Sequence, residues 1–240
     1  YYHGAGHRKV RNFLWLIYRQ VASKVVRSAD VVHAVSMLEA ELVQRHFNRE
    51  AVVVENGVSE DVNSVKWNPE KGRVLYAGRI EEYKGIQHVV RLVSCLRQRW
   101  IPEAKIVVVG EGNYKDSLLR LIEEMELPYE SYPFLPRKKY LSEVSRAHAF
   151  ALLSERESYP QSVNEAQAVG VPVLIAGWWT IAFSHRPRSY VADLSMSDLV
   201  LAERVARFLE EARRQPQAKV PLWREVVERR YMNIYRGHLD

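Results

Sequence analysis

The 240-residue sequence has a single cysteine, Cys95, so the chain forms no intramolecular disulfide, which fits a reducing cytoplasm. Long apolar runs are missing too. No window approaches the about 18 uninterrupted apolar residues that a membrane-crossing helix needs. The opening residues lack the basic, apolar and small-residue order of a signal peptide. There is no internal repeat and no low-complexity tract, which excludes collagen-like and disordered classes. His3 and His7 have no neighbouring residues to complete a ligand set, so no metal is expected.

What is present is material for a core. Hydrophobic residues make up 47% and charged residues 27% of the chain, enough apolar surface for a substantial globular body. Lys and Arg number 35 against 29 Asp and Glu, a formal charge of +6. That balance favours an anionic partner, whether nucleotide, phospholipid or nucleic acid, and does not choose among them.

From about residue 50, short β-branched runs alternate with stretches of helical periodicity, the signature of βα units and a parallel sheet. The fold class read from this is α/β. Strands are predicted over 31–35, 51–54, 73–77, 105–109, 149–153 and 172–175. Each is a continuous apolar run, as expected for strands covered on both faces. Helices are predicted over 10–26, 36–47, 86–99, 114–125, 137–147, 162–169, 197–212 and 221–235, with apolar spacing such as Val89, Leu92, Val93 and Leu96. Cys95 falls in the third of these as a small core residue. His33 sits in a strand pattern as a satisfied interior residue, and Asn56-Gly57 reads as a turn. The polar stretch 58–72, VSEDVNSVKWNPEKG, has no clear period and reads as an interdomain connection.

Two local patterns carry chemistry. In VLYAGRIEEYKGIQHVV, a strand ends at Gly78-Arg79 and the next helix opens after Lys84-Gly85. A strand-end glycine lets backbone approach a ligand closely. Two cations five residues apart beside a helix N-terminus suit a diphosphate; read alone, they are also compatible with a solvated loop. In LLSERESYPQSVNEAQAVGVPVLIA, Glu157 lies in a loop after a strand and Glu165 about one turn into the following helix. If Tyr159 and Pro160 start that helix, its N–H groups point at the crevice outside the strand ends. Carboxylates at that crevice accept hydrogen bonds from sugar hydroxyls, although two solvated glutamates fit the spacing equally.

Taken together and in order, these motifs resemble the retaining glycosyltransferases of the GT-B fold, in particular glycosyltransferase family 4. The matching residues are Gly78, Arg79, Lys84 and Gly85, then VVVGEG ending at Gly112, then Ser154, Glu157, Glu165, Ala166, Ala168, Gly170, Pro172 and Val173. The closing PLWREVVERRYMNIYR is similar to the family's last helix. The resemblance implies Rossmann-like parallel sheets and four segments: 1–58 as a partial amino-terminal acceptor-side domain, 59–72 as the linker, 73–215 as a complete nucleotide-sugar-binding domain, and 216–240 as a terminal helix packing back towards the amino-terminal domain. The amino-terminal domain would be completed by a preceding segment or by a partner chain.

The roles that the resemblance implies are these. Arg79 and Lys84 hold the donor's diphosphate, with Gly78 beside it. Glu157 contacts hydroxyls of the transferred sugar, helped by N–H groups around Ser158, Tyr159, Gln161 and Ser162. Glu165 binds the ribose hydroxyls, and the base lies near Gly112 and the segment 132–136 with Phe134 and Leu135. The motif YYHGAG makes His3 the family's catalytic-site histidine, so His3, Arg79, Lys84 and Glu157 form the catalytic set; a simple loop histidine is the other reading of His3. The reaction implied is metal- and cofactor-independent transfer, by front-face attack, of a sugar from a nucleotide-diphosphate sugar to a hydroxyl of a polysaccharide, glycolipid or other glycan. A donor-binding or scaffold subunit is the alternative, and no nucleic-acid partner is expected. The helix 8–27 mixes aromatics with Arg8, Lys9, Arg11, Arg19, Lys24 and Arg27. It reads either as a packing helix or as a peripheral contact with an anionic membrane on the cytoplasmic side. The sequence departs from the family at AGWWTIAFSHRPR, where Trp178 and Trp179 replace small residues.

Overall fold

A computed structural model describes residue 18 and residues 20–237 of the chain. His3 and most of the helix expected over 10–26 lie outside the described residues. The chain divides into two units, one of residues 1–55 with 227–240 and one of residues 56–226.

In the smaller unit, residues 20–28 form helix α1. Strand β1 (His33–Ala34) pairs in parallel with β2 (Val52–Val53), and α2 (Met37–Phe47) joins them. Ser36 caps α2 by accepting from the Glu39 N–H, and Asn48 ends it in the left-handed conformation. His33 is exposed rather than interior. Its Nε2 lies 3.1 Å from the Val54 carbonyl and 3.1 Å from the Tyr231 hydroxyl.

The larger unit holds a six-stranded sheet. Its strands are β3 (Arg73–Ala77), β4 (Lys105–Val109), β5 (Tyr129–Tyr132), β6 (Ala149–Leu152), β7 (Val173–Ile175) and β8 (Ser189–Val191). The order is β5-β4-β3-β6-β7-β8 and every pairing is parallel. Helices α3 (Ile86–Arg99), α4 (Lys115–Glu124), α5 (Arg137–Arg146), α6 (Gln161–Val169) and α7 (Asp198–Ala212) cover it, with a short α8 (Trp223–Val226). The chain runs outward from β3 to β5, returns to β6, then runs outward the other way. Right-handed crossovers therefore send the helices of the two halves to opposite faces. The inner strands are buried end to end because both faces are covered: Val74, Leu75, Tyr76, Ile106, Val107, Phe150, Leu152 and Leu174 are at most 2% exposed.

Two strands were missed. β5 (YESY) and β8 (SYV) are the sheet's edges, half-exposed and polar in alternation, so neither presents an apolar run. The stretch 59–72, expected as a linker, packs within the larger unit. It makes a 3₁₀ turn (Glu60–Ser64), pins the Trp67 indole N–H to the Ala147 carbonyl at 2.8 Å, and bonds its backbone to Ser145 and Arg146. The helix expected over 221–235 is interrupted by a π-helical turn (Val227–Tyr231) before α9 (Met232–Arg236). Among the described residues, no helix is long and apolar enough to cross a membrane.

Candidate active site

The strand order reverses between β3 and β6, and at such a switch point the loops leaving adjacent strands part to open a crevice. The loop after β3 carries Gly78 and Arg79, and the loop after β6 carries Glu157. They are tied together by backbone: the Tyr83 carbonyl accepts from the Glu155 N–H at 2.9 Å and from the Ser154 hydroxyl at 3.2 Å. Gly85 makes this approach possible. Its φ is +70°, and a Cβ there would fall 1.8 Å from the Leu153 carbonyl oxygen.

The resulting cleft has a volume of about 750 Å³ and is lined by Gly78, Arg79, Lys84, Phe134, Leu135, Glu157, Gln161, Ser162 and Glu165, all singled out from sequence. Three residues singled out with them stand elsewhere. Gly112 is not on the lining; it packs on Ile80, where a Cβ would lie 2.1 Å from the carbonyl oxygen, and Gly110 and Glu111 face the cleft instead. Ser158 is exposed outside the lining. Tyr159 is buried, its hydroxyl accepting from Arg186 at 2.9 Å, and the helix, expected over 162–169, starts at Gln161.

Lys84 and Glu157 are paired across the cleft floor. Nζ lies 2.6 Å from Oε1 and 2.7 Å from Oε2, with the two side chains 13% and 10% exposed. Arg79 remains exposed and donates to the Tyr83 hydroxyl at 2.8 Å. The N-terminus of α6 opens between Glu157 and Glu165 with no side-chain cap, so its first N–H groups are available to an anion. Gln161 and Asn164 anchor this end. Their amide groups donate to the carbonyls of Gly57 (2.6 Å) and Asn56 (2.9 Å), so Asn56-Gly57, expected as a turn but forming none, has a part in positioning the site. Arg186 fixes the same helix from behind, bonding Asn164 Oδ1 at 2.7 Å and Gln167 Oε1 at 3.0 Å.

Sequence reading missed Arg137, which lines the cleft at the first residue of α5. Its Nη1 lies 2.5 Å from Glu165 Oε1, while Nε and Nη2 take the two oxygens of Asp61 at 2.7 and 2.8 Å. This hydrogen bonding to Asp61 raises the guanidinium pKa, and the same pair draws the Asp61 carboxyl below its usual range. Tyr140, one turn on, has a phenol pushed well upward by burial and by the charge of Glu165. A signal for Arg137 existed. A cation in the first turn opposes the helix dipole, so Arg137-Lys138-Lys139 at a helix start calls for a local anion.

Trp179 is buried, donates from its indole to the Ser154 carbonyl at 2.8 Å, and packs edge-on against Phe183. Trp178 is half exposed.

Residues 58–216 match the family model described as glycosyl transferases group 1. The chain is 31% identical over 112 residues to the sulfoquinovosyl transferase of Arabidopsis thaliana, covering 45% of this chain and 20% of that protein. It is 28% identical over 97 residues to an uncharacterized glycosyltransferase of Methanocaldococcus jannaschii, covering 40% and 24%. The matched stretch thus spans a quarter or less of both curated relatives. Among solved structures, Anabaena HepE in complex with UDP and glucose is similar with a TM-score of 0.71 at 17% identity, over 92% of this chain and 66% of that one. That likeness is one of fold, and it establishes the α/β, GT-B-like architecture with its parallel sheet.

Proposed function

The chain belongs to the glycosyl transferases group 1 family, and from that membership we propose that its cleft binds a nucleotide-diphosphate sugar and that the protein moves the sugar to an acceptor hydroxyl with retention of configuration. The observation that carries this reading is the convergence of Arg79, Lys84, Glu157 and Glu165, drawn from two distant sequence motifs, on one cleft at the sheet's switch point.

Each residue has a chemical part. Lys84 and Arg79 meet the diphosphate, and the uncapped N-terminus of α6 adds N–H donors. As the glycosidic bond breaks, charge grows on the leaving diphosphate. Fixed cations in a half-buried cleft stabilise that charge more than water does. Glu157, released from Lys84 by the incoming anion, accepts hydrogen bonds from the sugar, and Glu165 accepts from the ribose. The base lies along Pro133, Phe134 and Leu135. Retention follows from front-face attack, with a phosphate oxygen taking the acceptor proton and no metal or cofactor required. The glycosidase scheme of two carboxylates flanking the bond does not apply, because here both glutamates hold the donor. His3 serves as the further catalytic group, the acceptor is a glycan or a lipid-linked glycan, and the enzyme works on the cytoplasmic side, in contact with the membrane where the acceptor is lipid-linked.

A thermal-shift screen over uridine, guanosine and adenosine diphosphates and their sugars tests this reading. UDP comes first, because the similar Anabaena structure holds it. Protection by one nucleotide, followed by donor hydrolysis or transfer, is the expected result. Binding without turnover would leave the chain a donor-binding subunit, and no protection by any nucleotide would overturn the reading.

A further inference from the structure

Arg137 lines the cleft and has partners both inside and outside it, Glu165 and Asp61. Its guanidinium is held two-pronged by Asp61, with both nitrogens within 2.8 Å of carboxylate oxygens, and the third nitrogen faces Glu165 Oε1 at 2.5 Å. Glu165 is nearly buried, its side chain 11% exposed, while Arg137 and Asp61 are each 39% exposed. A glutamate side chain has three rotatable bonds, and an acceptor free to turn holds a diol poorly. A two-pronged guanidinium is rigid by comparison.

We propose that Arg137, braced by Asp61, is a positioning residue for nucleotide recognition: it clamps Oε1 of Glu165 and leaves Oε2 as the acceptor for the ribose hydroxyls. This inference rests on the donor-binding reading above. Three features support it over a role for Arg137 as a phosphate ligand. Arg137 already satisfies one full carboxylate and half of another, so its charge is offset before any ligand arrives. It stands at the start of α5, following the segment Pro133–Leu135, whereas the cations of the β3 loop are Arg79 and Lys84. Asp61 is fixed in turn as the second residue of the 3₁₀ turn Glu60–Ser64, where Ser64 donates its hydroxyl to the Asp61 carbonyl at 2.6 Å.

The test compares ribose with deoxyribose. Calorimetric affinities are measured for the nucleoside diphosphate that the 240-residue chain binds best and for its 2′-deoxy analogue, on the unaltered chain and on Arg137→Met and Asp61→Asn. In the unaltered chain the deoxy analogue is expected to bind about tenfold or more weakly, the effect of one hydrogen bond to a charged acceptor. In Arg137→Met the ratio should fall toward one, and in Asp61→Asn to an intermediate value. Inorganic pyrophosphate should compete equally in all three. A ribose preference unchanged in Arg137→Met would overturn the inference and leave the donor reading standing. So would a loss of pyrophosphate competition with the ribose preference intact, which would make Arg137 a phosphate ligand. An unaltered chain that binds no nucleoside diphosphate would overturn the donor reading and this inference with it. Asp61→Asn alters a half-exposed surface turn, so it keeps the test decisive even where Arg137→Met unfolds.

Discussion

Lys84 and Glu157, 73 positions apart in sequence, share both carboxylate oxygens of the glutamate within 2.7 Å of one ammonium. The Lys84 charge is therefore already offset by Glu157, and an anionic ligand must win Lys84 away from it. Lys84→Ala should lower nucleoside diphosphate affinity by about 10- to 100-fold, the equivalent of losing one or two charge-assisted contacts. Arg79→Ala should do the same without loss of stability, because its side chain is exposed. Equal affinity of both variants and the unaltered chain, measured by calorimetry, would remove the phosphate clamp from the reading.

Gly85 is where the two loops close on each other. Gly85→Ala places a methyl group against the Leu153 carbonyl at a backbone angle that side chains disfavour. The strain and overlap together should cost about 2–4 kcal/mol. Urea unfolding should show this as a lower midpoint at unchanged slope, with nucleotide protection weakened in parallel.

At the amino-terminal end of β3, Arg73 is fully buried and bonds Glu130 at 2.5 and 2.8 Å, with Glu143 on the same guanidinium. Removing the cation leaves Glu130 with Lys105 at 2.9 Å and Glu143 with Arg146 at 2.8 Å, and strips both of their buried partner. Arg73→Met should therefore destabilise by about 3–5 kcal/mol, while nucleotide affinity of the folded fraction stays unchanged. A variant as stable as the parent would show that this network contributes nothing net.

His148 is buried, accepts from the Gly72 N–H through Nδ1 at 3.2 Å, and has Arg213 beside Nε2. Burial, reinforced by Arg213, depresses its pKa from 6.5 to about 4. The unfolded chain takes up this proton near pH 6.5 and the folded chain only near pH 4. The contribution is thus complete above pH 6.5 and is lost as pH falls to about 4, amounting to up to about 3 kcal/mol. His148→Gln should flatten the stability curve across that window, as measured by urea midpoints at stepped pH. An unchanged slope would assign the window to other groups, His88 among them, whose pKa burial also lowers.

The parts of this protein legible in its sequence are those whose physics is local or continuous. Strands β3, β4 and β6 announce themselves as unbroken apolar runs, and the Gly78-Arg79 and Glu157…Glu165 motifs bring their own chemistry. The edge strands β5 and β8 are not legible, because their half-exposed faces admit tyrosine, serine and glutamate. Arg137 is invisible for another reason: its meaning lies in Asp61, 76 residues away, and only the odd placement of a cation at a helix start hints at it. Gly112 has the motif's spacing, yet here its missing side chain serves contact with Ile80 rather than a ligand. The segment around Trp178 and Trp179 departs from the family pattern, and Trp179 and Arg186 turn it into a buttress behind the loop at Ser154 and behind α6.

The return of the chain from β5 to the middle of the sheet has a kinetic consequence. No short stretch of the polypeptide contains the cleft, because its two walls meet only when β6 docks alongside β3, across some seventy intervening residues. Such distant parallel pairing is slow to form. Ligand capture should therefore emerge at the last stage of refolding, with no partially assembled species able to retain a nucleotide.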